Sequence, residues 1–306
     1  MSTEDAIQII TSPWLTLTII TLAILISLSD VYLHVQNYNR PDVQKHVIRI
    51  LLMVPIYATQ SWLSLRFIKI TLLFETIRDL YEAFIIMSFV YYIINLLGGW
   101  DSLVKILAGK PTEYGRHPRY LFFGLISDWA LGEEFLIKVE KGALQYVVFK
   151  IVALLVICVT ELIGVYGEGS FDFGAAYIYV AIVQNFSQFW ALYCLVLLYQ
   201  ATQQELSMPK DWRPVFKFGC IKGVVFFTWW QGFFIFILQS LGAFSDVNDD
   251  SFDLPWDDDD VAHGIQNYLI CIEMFFFGMC DKIYFARSNC LAFFIQLLYA
   301  FRFLTI

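Results

Sequence analysis

FETIRDLYEAFIIMSFVYYIINLLGG, residues 74–99, joins a charged mouth to an apolar run long enough to cross a bilayer. Counting back about 20 residues from Gly98-Gly99, at about 1.5 Å per residue, places Asp79 and Glu82 within or at the edge of the outer leaflet. Glu75, Arg78, Asp79 and Glu82 are spaced i, i+3, i+4 and i+7, so one helical face carries all four charges. Arg78 can pair with Glu82 at i+4 and with Glu75 at i+3, which leaves one negative charge over. Either this face meets water and headgroups, or it turns inward as part of a polar cavity. Spacing alone does not separate the two.

The rest of the chain is equally apolar. Of 306 residues, 58% are hydrophobic, 18% aromatic and only 16% charged, against about 25% charged in an average soluble domain. Apolar runs of near bilayer length recur, and a soluble core cannot hold so much apolar surface. The expectation is an all-α integral membrane protein with seven transmembrane helices, near 13–34, 47–66, 78–97, 143–165, 175–200, 214–241 and 264–286. Together they form one membrane domain over 1–286, followed by an apolar tail at 287–306. CLAFFIQLLYAFRFLTI, at 290–306, is short and interrupted by Gln296 and Arg302, so an interfacial helix fits it better than an eighth span.

Basic residues set the orientation. The connections after spans one, three and five, with their flanks and the tail, take all but three of the 20 Lys and Arg, Lys150 among them. The opposite side receives Arg66, Lys69 and Arg78. Positive residues are retained in the cytosol, so the N-terminus is expected outside or in the lumen and the C-terminus inside. No cleavable leader is expected, and the first span would act as its own signal anchor. Five cysteines fall in spans and Cys290 in the tail, which leaves no outer pair for a disulfide.

Polar groups inside spans are costly and therefore informative. In the fifth span, QNFSQFW sets Gln184, Asn185 and Gln188 within about 100° of arc, where amides bond helices together or line a solute path. Glu273 in CIEMFFF lies about nine residues inside the seventh span, roughly 13 Å deep. Lys222 in the sixth span either pairs with Glu273 or snorkels to the cytosol. Gln231 follows in the same span. The outer loop SDVNDDSFDLPWDDDDVAHG carries eight aspartates and no base. Its match to a calcium loop fails at Ser251, where glycine is needed, so it reads as a solvated acidic loop. The four histidines are scattered. No HExxH, GxSxG or P-loop occurs, so neither an enzyme, a metal or cofactor, nor nucleic-acid binding is expected.

MVPIYATQSWLSL, ETIRDLYEAFIIMSF followed by LGG, GKP at 109–111, AAYIYVAIVQNFSQFWALYCLVLLY, RPVFKFGCIKGVVFFTWWQG and IQNYLICIEMFFF occur in this order from about residue 47 to 277. In order and spacing they resemble the family of organic solute transporter subunit alpha and transmembrane protein 184. The resemblance implies seven spans with an outward N-terminus. It implies facilitated diffusion of organic anions and steroid-like solutes in the transporter branch, with a single-span beta-type partner subunit. The transmembrane protein 184 branch, to which this chain is more similar, implies roles in signalling, vesicle traffic or the vacuolar membrane. Two features depart from the pattern. GKPTEYGRHPRYLFFG lacks the cysteine cluster usual after the third span, and GMCDKIYFARSNCLAFF replaces the usual exit from the last, so no family residue is carried past Phe277.

The leading expectation is a multi-pass transporter with a polar intramembrane path of Arg78, Asp79, Glu82, Gln184, Asn185, Gln188, Lys222, Gln231 and Glu273. Its partners would be membrane lipids, an organic solute, and a beta-type subunit or further copies of itself. The alternative is a seven-helix receptor or membrane scaffold that transports nothing. Plasma, endosomal and vacuolar membranes are not distinguished.

Overall fold

The computed structural model describes residues 13–117, 128–167 and 173–207, positions 231, 234, 235 and 238, and residues 258–286. Its regular elements are all helical: α1 Pro13–Gln36, α2 Pro41–Leu51, α3 Met53–Arg66, α4 Thr71–Leu96, α5 Trp100–Ala108, α6 Glu133–Ile163, α7 Ala176–Ser207 and α8 Asp258–Ala286. Five stretches are long and apolar enough to cross a membrane: Trp14–Gln36, Pro41–Arg66, Thr71–Leu96, Glu133–Ile163 and Ala176–Leu206. α8, at 29 residues, is long enough too, but His263, Gln266, Asn267 and Glu273 dilute its apolar character. The span expected at 214–241 lies outside the described residues except for four positions, and the acidic loop before Asp258 and the tail after Ala286 lie outside them entirely.

Helices outrun the apolar runs that announce them. α4 begins at Thr71 and α6 at Glu133, seven and ten residues ahead of the expected boundaries. The added turns are helix-compatible, mostly apolar in α4 and charge-rich in α6, where Glu134 pairs with Lys138 at i+4 across 2.5 Å. α5 is an amphipathic helix in what the hydropathy pattern leaves as a connection, with Leu103 and Leu107 on its buried side. Gly98 and Gly99, both at φ near +90°, make the turn that separates it from α4.

Contacts cluster in two compact units. The first takes Met1–Asn39, Leu51–Arg78 and Val215–Ile306, and the second takes Arg40–Ile50 and Asp79–Pro214. In the first unit α1, α3 and α8 pack on one another. The buried stripe of α1 is Thr16, Ile20, Ala23, Ser27 and Asp30, a 4-3-4-3 spacing that keeps one face toward its neighbours. Pro55 accounts for the break at Leu52, because proline has no N–H to offer the carbonyl of Leu51 four residues back. Ser27 Oγ donates to that carbonyl instead, at 2.9 Å, and so ties α1 to the break. Gly278 of α8 lies against Ala23 and Ile26 of α1 and Val54 of α3.

In the second unit α6 and α7 form a closely packed pair. α6 buries Phe135, Val139, Gly142, Tyr146, Lys150, Ala153 and Ile157, again every three or four residues. Its opposite face exposes Leu144, Val148, Ile151, Leu155, Val159 and Leu162. So large an apolar face is stable against lipid and not against water. The approach is tightest at Gly142, where a Cβ would collide with Sγ of Cys194 and stand 3.3 Å from Nε1 of Trp190.

Gly142→Ala is therefore expected to destabilise the α6–α7 pair by about 1–3 kcal/mol, the usual cost of overpacking. Gly278→Ala, whose Cβ would find its nearest neighbours at 3.5–3.8 Å, should be close to neutral. Thermal unfolding of the two purified variants side by side checks this. Equal melting temperatures would contradict the close approach at Gly142.

Candidate functional site

A seam of polar side chains runs between α4, α6 and α7 inside the second unit. At one end Lys150 Nζ donates to Asp79 Oδ2 at 2.8 Å and to Gln184 Oε1 at 2.9 Å. One turn along α4 and α7, Gln188 Nε2 donates to Glu82 Oε1 at 3.1 Å. Gln145 and Ser187 then bond reciprocally, the amide to the Ser187 carbonyl at 3.0 Å and the Ser187 hydroxyl to Gln145 Oε1 at 3.1 Å. At the far end Tyr91 Oη donates to Glu140 Oε1 at 2.5 Å. Residue numbers rise along α4 and α7 while they fall along α6, so α6 runs antiparallel to the other two.

Lys150 sits in this seam with 5% of its side chain exposed, at a position where its neighbours on the same stripe are apolar, aromatic or small. A lysine there costs on the order of 3 kcal/mol in hydrocarbon unless it is compensated. The Asp79 carboxylate supplies the countercharge, and the Tyr146 ring, 5.8 Å from Nζ, adds a cation–π contact. An ammonium has three N–H donors. Two are used, and the third has no acceptor among the described residues.

Inside the first unit the polar groups form smaller sets. Asn267 Nδ2 donates to Glu75 Oε1 at 3.2 Å, and His263 Nδ1 stands 3.5 Å from the same oxygen. The Arg78 guanidinium lies over the Tyr57 ring at 5.9 Å and is 8% exposed. Gln231 Nε2 donates to Glu273 Oε1 in a very short contact.

The expected path residues are thus distributed. Asp79, Glu82, Gln184 and Gln188 come together around Lys150, while Arg78 belongs to the first unit with the Gln231–Glu273 pair. The charged face at the start of α4 is largely buried: Arg78 and Glu82 are 8% and 7% exposed. Asn185 is apart. Its side chain is exposed and donates to the Ala181 carbonyl of its own helix at 2.8 Å. Lys222 lies outside the described residues. Lys150, counted from the sequence among the cytosolic flanking bases, is buried and paired in the α6 seam. The signal was legible, because Lys150 falls seven residues inside the span expected at 143–165.

Outside the spans, the GKP segment is anchored by Lys110, whose Nζ donates to the Ala201 carbonyl at 2.5 Å and to Glu205 at 2.6 Å. It is the cation expected near the C-terminus of α7. Next to it, His117 Nδ1 is 2.6 Å from Tyr193 Oη, and its backbone N–H donates to Asp128 Oδ1 at 3.2 Å. Burial pushes the His117 imidazole below its ordinary value, opposed by Asp128 and reinforced by Lys138.

A protein family described as organic solute transporter Ostalpha matches residues 13–290. Two curated relatives come from Arabidopsis thaliana. Protein LAZ1 homolog 1 is 35% identical over 285 residues, covering 88% of this chain and 56% of the relative. Protein LAZ1 homolog 2 is 37% identical over 265 residues, covering 83% of this chain and 62% of the relative. The chain therefore spans less than two thirds of the length of either. No solved structure matches it. The family match extends past Phe277, where the resemblance of individual motifs ends, into the first residues of the apolar tail.

Two outcomes test the geometry. Asp79→Asn leaves the buried Lys150 ammonium without its partially exposed partner and should cost on the order of 1–3 kcal/mol of stability, Lys150→Gln should cost less, and the double variant should recover much of the Asp79→Asn loss. Additive losses in unfolding experiments would refute the coupling. For His117, the depressed folded value favours the neutral ring. Its contribution is complete above the unfolded value near 6.5 and is lost as pH falls below it. Melting temperature should accordingly fall between about pH 7 and 5, and His117→Gln should flatten that dependence.

Proposed function

Because the chain belongs to the organic solute transporter alpha and transmembrane protein 184 family, we propose that it is a facilitated transporter of organic anions, steroid-like solutes among them. One observation supports this above others. Lys150 is a buried cation between membrane helices, and one of its N–H donors has no acceptor among the described residues. A solute carboxylate or sulfate can take that donor and compete with Asp79 for the ammonium. Gln184 and Gln188 offer amide groups beside it, and the apolar residues of the same stripe, Tyr146 and Ala153, suit a hydrocarbon ring system. α4 is bridged to α6 and α7 by long polar side chains, whereas α6 and α7 also approach closely at Gly142 and Cys194. Such bridges can be exchanged for a solute with little repacking.

The reading takes the multi-pass chain to have seven spans, outward N-terminus and cytosolic C-terminus, with 214–241 and α8 completing the five apolar helices. No catalytic step is involved, and no nucleotide-binding motif is present in the sequence to drive pumping. A single-span beta-type subunit or a second copy of the chain would complete the transporter.

The test is uptake of a radiolabelled steroid sulfate into proteoliposomes holding the purified chain, alone and with a beta-type subunit added. Flux above empty vesicles is expected. Lys150→Gln, at matched incorporation, should reduce it at least about tenfold, as loss of about 1.4 kcal/mol of anion stabilisation requires. Absence of flux under both conditions would overturn transport and leave the receptor or scaffold reading in its place.

A further inference from the structure

Four contacts hold α2 against α4 inside the second unit. Asn95 Nδ2 donates to the Asp42 carbonyl at 3.3 Å and lies 3.3 Å from His46 Nε2, and the His46 ring stacks on Tyr91 with centroids 5.8 Å apart. Farther along, Tyr81 Oη donates to the Arg49 carbonyl at 2.6 Å, and the Arg49 guanidinium lies 5.2 Å from the centre of the Phe84 ring. Residue numbers rise on α2 as they fall on α4, so the two helices are antiparallel.

This anchoring decides what α2 turns outward. Val43 and His46 are buried, while Asp42, Lys45 and Arg49, spaced i, i+3 and i+7, form an exposed ridge. Lys45 and Arg49 are four residues apart, so two like charges stand one above the other and repel. Neither takes part in an ion pair among the described residues. Asp42 shares their ridge without pairing with them, and Glu140, the acid next to Tyr91, accepts that residue's hydroxyl.

Depth makes such a pair of cations costly. From Asp42 to Arg49 α2 advances about 10 Å, and from Asn95 to Phe84 α4 recedes about 16 Å. The guanidinium is carried between a third and a half of the way into a hydrocarbon core of about 30 Å, counted from the Asn95 end of α4. A long basic side chain ordinarily reaches back to the headgroups. Arg49 is instead laid on Phe84, well short of that end. An exposed cation held there draws polar headgroups inward.

We propose that Lys45 and Arg49 hold the phosphate of an anionic phospholipid from the leaflet at the Asn95 end of α4. A guanidinium binds two oxygens of a phosphate side by side, and the Phe84 ring fixes its plane. The Lys45 ammonium, one turn nearer the headgroups, takes a further oxygen of the same lipid. The bilayer supplies this ligand along the face that exposes the ridge. In the orientation read from the basic residues the leaflet is cytosolic, where anionic lipids concentrate.

Native mass spectrometry of the full chain, released from vesicles of phosphatidylcholine and phosphatidylserine in equal parts, reads which lipid is retained. Preference for phosphatidylserine is expected, and the double variant Lys45→Gln, Arg49→Gln should lower it about thirtyfold, or about 2 kcal/mol. The double variant Lys105→Gln, Arg116→Gln, at two exposed bases of the same unit outside the ridge, should leave it unchanged. Phe84→Leu keeps both charges and should weaken retention severalfold. It decides the matter if circular dichroism shows that the ridge variant does not fold. Equal losses in the two double variants would mean that the basic side as a whole attracts the lipid, and would overturn the ridge site. So would a wild type that retains no excess of phosphatidylserine, or displacement of the lipid by inorganic phosphate or steroid sulfate, which would make the ridge a site for soluble anions. None of these readouts depends on transport.

Discussion

A lysine in the packed seam of a membrane helix constrains everything around it. Lys150 occupies one position of a stripe whose other members are Phe135, Val139, Gly142, Tyr146, Ala153 and Ile157. That spacing would by itself pack α6 against almost any apolar helix. The ammonium restricts the choice, because two other helices must bring oxygen to it: Asp79 from α4 and Gln184 from α7. Sliding α4 by one residue along its axis would turn Asp79 about 100° away. The ion pair therefore sets the register of α4 in the second unit more sharply than the shape of its apolar residues can.

The other polar contacts follow from that register. With Asp79 at Lys150, α4 carries Glu82 to Gln188 one turn on, and Tyr91 to Glu140 about two and a half turns further. From Asp79 to Tyr91 the seam is about 18 Å long at 1.5 Å per residue, more than half of a hydrocarbon core of about 30 Å. Each of these bonds between helices is individually modest, about 0.6–2 kcal/mol. Their joint effect is to set polar contacts at intervals where α4 faces α6 and α7. Close packing is confined to the α6–α7 side, at Gly142 and Cys194. A structure built only for stability would place apolar residues along the whole strip, since buried ion pairs rarely improve on well-packed hydrocarbon.

Much of the helical architecture was legible in hydropathy, because lipid imposes a long apolar requirement that few other environments do. α1, α4, α6 and α7 occur where apolar runs predict them. What hydropathy misses is where a helix stops: Glu133, Glu134 and Lys138 are polar yet helical, so α6 begins ten residues before its apolar run. It also misses the amphipathic α5, whose few buried positions look like loop in a window of bilayer length. Within the site, Asp79, Glu82, Gln184 and Gln188 were marked by the cost of polar groups in a span. The same rule applied to Lys150, seven residues inside its expected span, but a base near the start of a span also fits a cytosolic flank, and it was counted there. Gln145 falls at the very start of its expected span and a single serine costs little in a membrane helix, so neither Gln145 nor Ser187 gave a comparable signal. Asn185 shows the limit of an arc argument: 100° from Gln184 on the helix wheel is enough to turn it out of the seam and onto its own backbone.

The two units handle a buried carboxylate in different ways, and the difference bears on mechanism. Asp79 meets a cation that is covalently part of the chain, so its neutralisation is permanent and its position is fixed by two helices. Glu273 meets an amide, which can orient a carboxyl group but cannot neutralise it. The first arrangement fixes charge and geometry together. The second fixes geometry alone, and it leaves Glu273 Oε2 and Gln231 Oε1 without a donor among the described residues.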